Sequence, residues 1–142
     1  MKNNLEIVLV FDRYHNILRS KKQHMDINGG IYMAEKIIQT AGRQALGDFA
    51  PEFAHFNDDI LFGENWNNED IDLKTRSLIT VVALMAQGLT DNSLKFHLMN
   101  AKSHGVSKKE MAATITHVAF YAGWPKAWAV FNLAKEIYAD EE

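Results

Sequence analysis

Between Asp72 and Tyr138 the chain is punctuated as a run of helices: each apolar stretch opens on a capping residue, and the next cap follows within a few residues. Asp72 precedes Leu73–Gln87 and Gly88 follows it. The first supplies an acceptor for the unpaired amides of an opening turn, and the second enters the left-handed conformation that ends a helix. Thr90 or Asp91 opens the next helix, which turns Leu94, Leu98 and Ala101 inward and stops at Gly105. Ser107 and Glu110 have the spacing of a capping box for a third, with Met111, Ile115, Val118, Ala119 and Ala122 on it. Gly123 ends that helix, and Pro125 restarts the chain into a last one carrying Trp128, Phe131, Leu133, Ile137 and Tyr138. Connectors this short make neighbouring helices antiparallel. The expected fold class is all-α, an antiparallel helical bundle.

Two further helices precede this run and bring the expected total to about six. Met33, Ile37, Ile38, Ala41 and Ala45 have helical spacing over Tyr32–Leu46, with Gly47 as terminator. Pro51 opens a short helix whose buried side is expected to be Phe53, Phe56, Ile60 and Leu61. Gly63–Asp70, polar and rich in Asn, reads as a loop. Residues 1–30 read as an irregular or partly extended arm, with strand-like Leu5–Phe11 and a flexible joint at Asp26–Gly30, leaving 31–142 as the helical domain. Ile79–Ala86 is apolar on every side, as is the helix around Ala119. Such helices are expected to be buried all round, inside the domain or against another subunit.

A length of 142 residues suits one compact domain, and 47% hydrophobic residues exclude wholesale disorder. A net charge of -3 argues against nucleic acid or an anionic membrane as partner, since both need a basic face. The longest apolar run falls far short of the roughly 20 residues that cross a bilayer. Ile7–Phe11 is too short for a signal-peptide core, so a cytoplasmic address is expected. There is no cysteine, which removes disulfides, thiol peroxidase chemistry, iron–sulfur ligation and cysteine nucleophiles together.

Several segments in fixed order carry a family likeness: Gly63-Glu64-Asn65-Trp66, Asp72 to Leu78, Leu94 to Leu98, Ala101 to Ser107, and Tyr121 to Pro125. From Phe62 through Tyr138 the sequence resembles the carboxymuconolactone decarboxylase family, which shares its fold with alkylhydroperoxidase D. The redox branch of that family carries a Cys-x-x-Cys pair four residues before a histidine, with an upstream glutamate. Counted back from His97, those positions fall on Ser93, Thr90 and, near the glutamate, Ser77. Hydroxyls yield neither a thiolate nor a disulfide, so peroxide reduction is unsupported and the decarboxylase branch remains.

The resemblance implies a butenolide lactone substrate whose carboxylate sits on the ring carbon γ to the carbonyl. Electrons left by carbon dioxide flow through the ring alkene into that carbonyl, so the substrate is its own electron sink and no cofactor or metal is required. The protein must hold the carboxylate, stabilise the dienolate oxygen and deliver a proton to carbon. Arg76 offers a planar fork for the carboxylate, His97 a proton shuttle at neutral pH, and Glu64 a second acid or base. Trp66, Tyr121 and Ser93 are the candidate substrate-binding residues.

Each residue also has a plain structural reading. In that reading Arg76 pairs with an acid such as Asp72, His97 is held in the core, Glu64 solvates a loop, and Ser93 and Thr90 are cap or surface hydroxyls. Trp66, Trp124 and Trp128 read as packing residues. His97 and His104 share a helix face with His117 on the next helix, but metal sites combine closer pairs with a carboxylate, so no metal is expected. The competing function is a non-catalytic binding protein on the same fold. In either case the resemblance implies a homo-oligomer, a trimer or a hexamer built from trimers, with a small molecule as ligand.

Overall fold

The computed structural model describes residues 36–140. These contain six α-helices: α1 (Ala41–Leu46), α2 (Pro51–His55), α3 (Leu73–Gln87), α4 (Asn92–Ser103), α5 (Lys108–Ala122) and α6 (Trp124–Ile137). A π-helical segment, Phe56–Asn65, continues α2, and no strand occurs among the described residues. The described residues are all-α, as the caps and periodicity predict. The strand expected at Leu5–Phe11, the joint at Asp26–Gly30 and the boundary at residue 30 lie outside the described residues. Two compact units divide between Glu69 and Asp70.

In the first unit a buried carboxylate decides where a helix begins. Asp58 is 2% exposed and accepts from the backbone amides of Gly42 and Arg43, both at 2.9 Å. It thereby satisfies amides of the first turn of α1, and a Cβ on Gly42 would stand 2.7 Å from its Oδ1. The Gln39 side-chain oxygen accepts from Thr40 and Ala41, and Asn67 clamps both backbone groups of Ile37. Residues 36–40 are consequently not helical, and the helix expected from Tyr32 begins at Ala41; residues 32–35 lie outside the description.

Two other expectations are corrected here. The buried series after Pro51 is Ala54, Asp58, Phe62 and Trp66, while Phe53, Phe56, Ile60 and Leu61 are exposed. The segment bonds i to i+5, as Trp66 does to Leu61 at 2.9 Å, so residues four apart stay on one face longer than in an α-helix. This winding also runs to Asn65, into the stretch expected to be a loop.

In the second unit most expected helix ends recur, while α4 closes at Ser103, two residues before Gly105, and α6 opens at Trp124, one before Pro125. Asp72 accepts from Thr75 N at 2.8 Å, Asp91 from Ser93 N at 3.0 Å, and Ser107 with Glu110 closes the capping box. Gly88 ends α3 in the left-handed region at φ 80°. Leu94, Leu98, Met111, Ile115 and Val130 fill the core, each apolar side chain contributing about 1.5–3 kcal/mol by leaving water.

Three lysines report the helix directions. Lys74 in the first turn of α3 meets Glu110 in the first turn of α5 at 2.6 Å, so these two run the same way. Lys126 at the start of α6 donates to Ala86 O at the end of α3 at 2.6 Å, and Lys102 at the end of α4 donates to Ile137 O at the end of α6 at 2.7 Å. The unit is an up-down-up-down four-helix arrangement.

Burial of α3 within the chain is one-sided. Ser77, Val81 and Met85 are buried, whereas Ile79 is 53% exposed, so of the two expected settings, inside the domain or against another subunit, the first does not hold for the whole circumference of α3. Trp66 packs as expected, but Trp124 and Trp128 are exposed, because α6 turns Ala127, Val130 and Ala134 inward instead.

Candidate functional site

The α3–α4 hairpin sets the heights of the two leading candidates. Ser77 Oγ lies 2.8 Å from His104 Nδ1, which puts the start of α3 level with the end of α4. Counting toward the connecting turn, His97 falls level with about Leu84. With a rise of 1.5 Å per residue, Arg76 and His97 of one chain are separated by about 10–12 Å along the helix axes. Antiparallel packing therefore does not bring them to one height.

His97 is half-buried in the middle of α4, its ring edge-on to Phe96 with centroids 5.2 Å apart. Burial pushes its pKa below the ordinary histidine value, so it is a neutral imidazole at neutral pH. Arg76, also half-buried, turns back over the start of α3 and donates from Nη2 to Ile71 O at 3.2 Å. Ser93 is exposed and donates to Asp91 Oδ1 at 2.8 Å, which makes it part of the α4 cap. In the first unit, Glu64 is exposed on the π-helical segment and Trp66 is buried, stacked on Phe62 with centroids 5.9 Å apart.

Tyr121 is 81% exposed and lines a cleft of about 470 Å³ between α3, α5 and α6. Val82, Val118 and Ala122 form its apolar floor, with His117, Tyr121 and Lys126 at the rim. A second cleft of about 330 Å³, between α5 and α6, is lined by Met111, Ile115, Phe131 and Tyr138 with Lys108 and Lys135. Neither Arg76 nor His97 lines either cleft. Reading the sequence did not single out Lys126, because its partner Ala86 is 40 residues away. Pairing Ser77 with His104 was within reach: their numbers sum to about twice the midpoint of the connecting turn. Among the described residues no three His, Asp or Glu side chains gather as metal ligands would.

The model of the carboxymuconolactone decarboxylase family matches residues 51–136, more than half of the chain. The chain is 36% identical over 119 residues to the 4-carboxymuconolactone decarboxylase of Acinetobacter baylyi, covering 84% of this chain and 87% of that protein. It is 33% identical over 85 residues to an uncharacterized 15.0 kDa protein of Paracoccus denitrificans from the nqo9–nqo10 intergenic region, covering 59% of this chain and 63% of that one.

Proposed function

Because this chain belongs to the carboxymuconolactone decarboxylase family, we propose that it is a cofactor-independent decarboxylase acting on a small carboxylated lactone or a related cyclic acid. The observation that carries this reading is the likeness to the Acinetobacter decarboxylase along most of both chains. Ser93 and Thr90 at the positions of the redox thiols support the same branch.

In the proposed reaction the bond from the ring carbon to the carboxylate breaks, carbon dioxide leaves, and the electron pair passes through the alkene to the carbonyl oxygen. A proton then adds to carbon, so one carboxylate and one proton become carbon dioxide and a C–H bond. Arg76 is assigned to the carboxylate, His97 to the proton and Glu64 to a second acid or base, with Trp66, Tyr121 and Ser93 against the substrate. Burial that lowers the His97 pKa makes its imidazolium a stronger acid than an exposed one, which favours proton delivery to carbon. The height difference between Arg76 and His97 favours a site shared between copies, in keeping with a proposed trimer or hexamer.

Decarboxylation of the lactone, followed by carbon dioxide release, tests the proposal. His97→Gln should abolish turnover while retaining fold and assembly, because glutamine hydrogen-bonds but does not exchange a proton near neutral pH. Arg76→Lys should chiefly raise KM, since ammonium keeps the charge without the bidentate geometry. Full activity in His97→Gln removes the mechanism. One observation favours the second reading, a binding protein on the same fold: the two clefts are lined by neither Arg76 nor His97. Saturable binding of the lactone without carbon dioxide release would select it.

A further inference from the structure

We propose that the cleft between α3, α5 and α6 is a recognition site for a small cyclic carboxylate, held by the Lys126 ammonium and covered by His117 and Tyr121. Three observations carry this. First, the cleft has the size of a small-molecule site, about 470 Å³, and a floor of Val82, Val118 and Ala122 that suits a flat apolar ring. Second, its cation is fixed in place. Lys126 Nζ donates to Ala86 O at 2.6 Å, in the last turn of α3, where unpaired carbonyls and the helix dipole favour a positive charge. An ammonium has three donors, and the Ala86 carbonyl takes one of them. A side chain already ordered by that bond loses less freedom on meeting an anion than a solvated lysine does.

Third, the rim carries two rings beside the cation. His117 and Tyr121 are one helical turn apart on α5, with centroids 5.1 Å apart and planes at 48°. Each presents an apolar face to a ligand ring and a polar edge to its oxygens. The second cleft also has lysines but brings no imidazole to its lining, which is mostly aliphatic. A charged head, an adjoining pair of rings and an apolar floor together select a compact cyclic monoanion over a long-chain acid or a phosphate ester. Arg76 and His97 do not line this cleft, which shares only Tyr121 with the residues assigned above to the lactone, and its case rests on the cleft itself rather than on decarboxylation.

The test is calorimetric titration of the full chain with 2-furoate, a planar ring carboxylate, alongside its neutral methyl ester, with the ring protons of His117 followed by NMR. Wild-type protein should bind 2-furoate saturably with shifts at His117, and bind the ester at least about tenfold more weakly, as loss of a charge-assisted contact requires. Lys126→Met should lose about tenfold or more, Lys126→Arg should restore binding, and Lys135→Met, in the other cleft, should leave it unchanged. If Lys126→Met fails to fold, His117→Ala at its exposed position should weaken binding in its place. Equal affinity for acid and ester, or 2-furoate binding unaffected by both Lys126→Met and His117→Ala, overturns the proposal. Lys126-dependent binding without lactone turnover keeps the cleft and removes the decarboxylase reading. Turnover by a protein that binds no 2-furoate does the reverse.

Discussion

Ser77 has one hydroxyl proton, and the Leu73 carbonyl takes it at 2.7 Å. The same hydroxyl lies 2.8 Å from His104 Nδ1, so one oxygen ties the imidazole of α4 to the first turns of α3. A second proton would put charge on a half-buried ring, and burial accordingly lowers the His104 pKa. His97 is lowered for the same reason. Between the lowered folded values and the ordinary value of about 6.5, the unfolded chain binds more protons than the native one. Stability is therefore full above that range and falls as pH drops through it. Urea midpoints measured from pH 7.5 to 5 should decline, and His104→Gln should flatten part of the slope; an unchanged slope would contradict the assignment. Ser77→Ala removes the hydroxyl partner of the half-buried His104 ring and should cost about 1–3 kcal/mol at neutral pH. Among single residues the caps were legible in sequence, since Asp72, Asp91 and Ser107 act on amides two or three positions away. Lys126 and the Ser77–His104 pair were not singled out, because their meaning comes from helices brought together in space.

Helix ends separate what sequence conveys well from what it conveys poorly. The α5 start is both a local cap and a tertiary tie: Ser107 and Glu110 satisfy each other's amides, and Glu110 also meets Lys74 of α3 at 2.6 Å. Lys74 first, then the Ser107 amide and hydroxyl, hold the Glu110 pKa down to about 2. Its contribution is present above the ordinary carboxylate value and lost as pH falls toward the lowered one. Ser107→Ala should cost about 1 kcal/mol in thermal or urea unfolding and raise the Glu110 pKa toward its ordinary range, read by carboxyl NMR. A stability change within error would mean that the cap is redundant with the Lys74 tie. The π-helical segment misled the sequence reading for a physical reason. A hydrophobic pattern assigns aspartate to solvent, yet Asp58 is needed inside to hold the first turn of α1. Once Asp58 points inward, its neighbours four apart follow it, and Phe53, Phe56, Ile60 and Leu61 are left outside.

At the scale of the whole molecule, no helix among the described residues is long and apolar enough to cross a membrane. Large apolar side chains are exposed on the second unit. Phe120 at 73%, Trp124 at 53% and Trp128 at 68% exposure follow one another over the α5–α6 junction, and the Phe120 and Trp124 rings meet edge to face at 5.4 Å. Aromatic groups clustered this way on a protein surface mark an interaction site. The half-open α3, with Ile79 outside, belongs to the same pattern: an apolar helix that one chain covers on one side only. Each such side chain stabilises an interface by about 1.5–3 kcal/mol when covered. Several from each copy are enough to offset an association cost of about 4–15 kcal/mol. The proposed partner is a second copy of the chain, in a trimer or a hexamer built from trimers. Light scattering at micromolar concentration should then give three or six times the 16.1 kDa chain mass. Trp128→Glu, at an exposed position where the folded monomer tolerates a charge, should shift the mass toward one chain without loss of helical circular dichroism. A wild-type protein that scatters as a monomer would remove the assembly and, with it, the argument that Arg76 and His97 meet across copies.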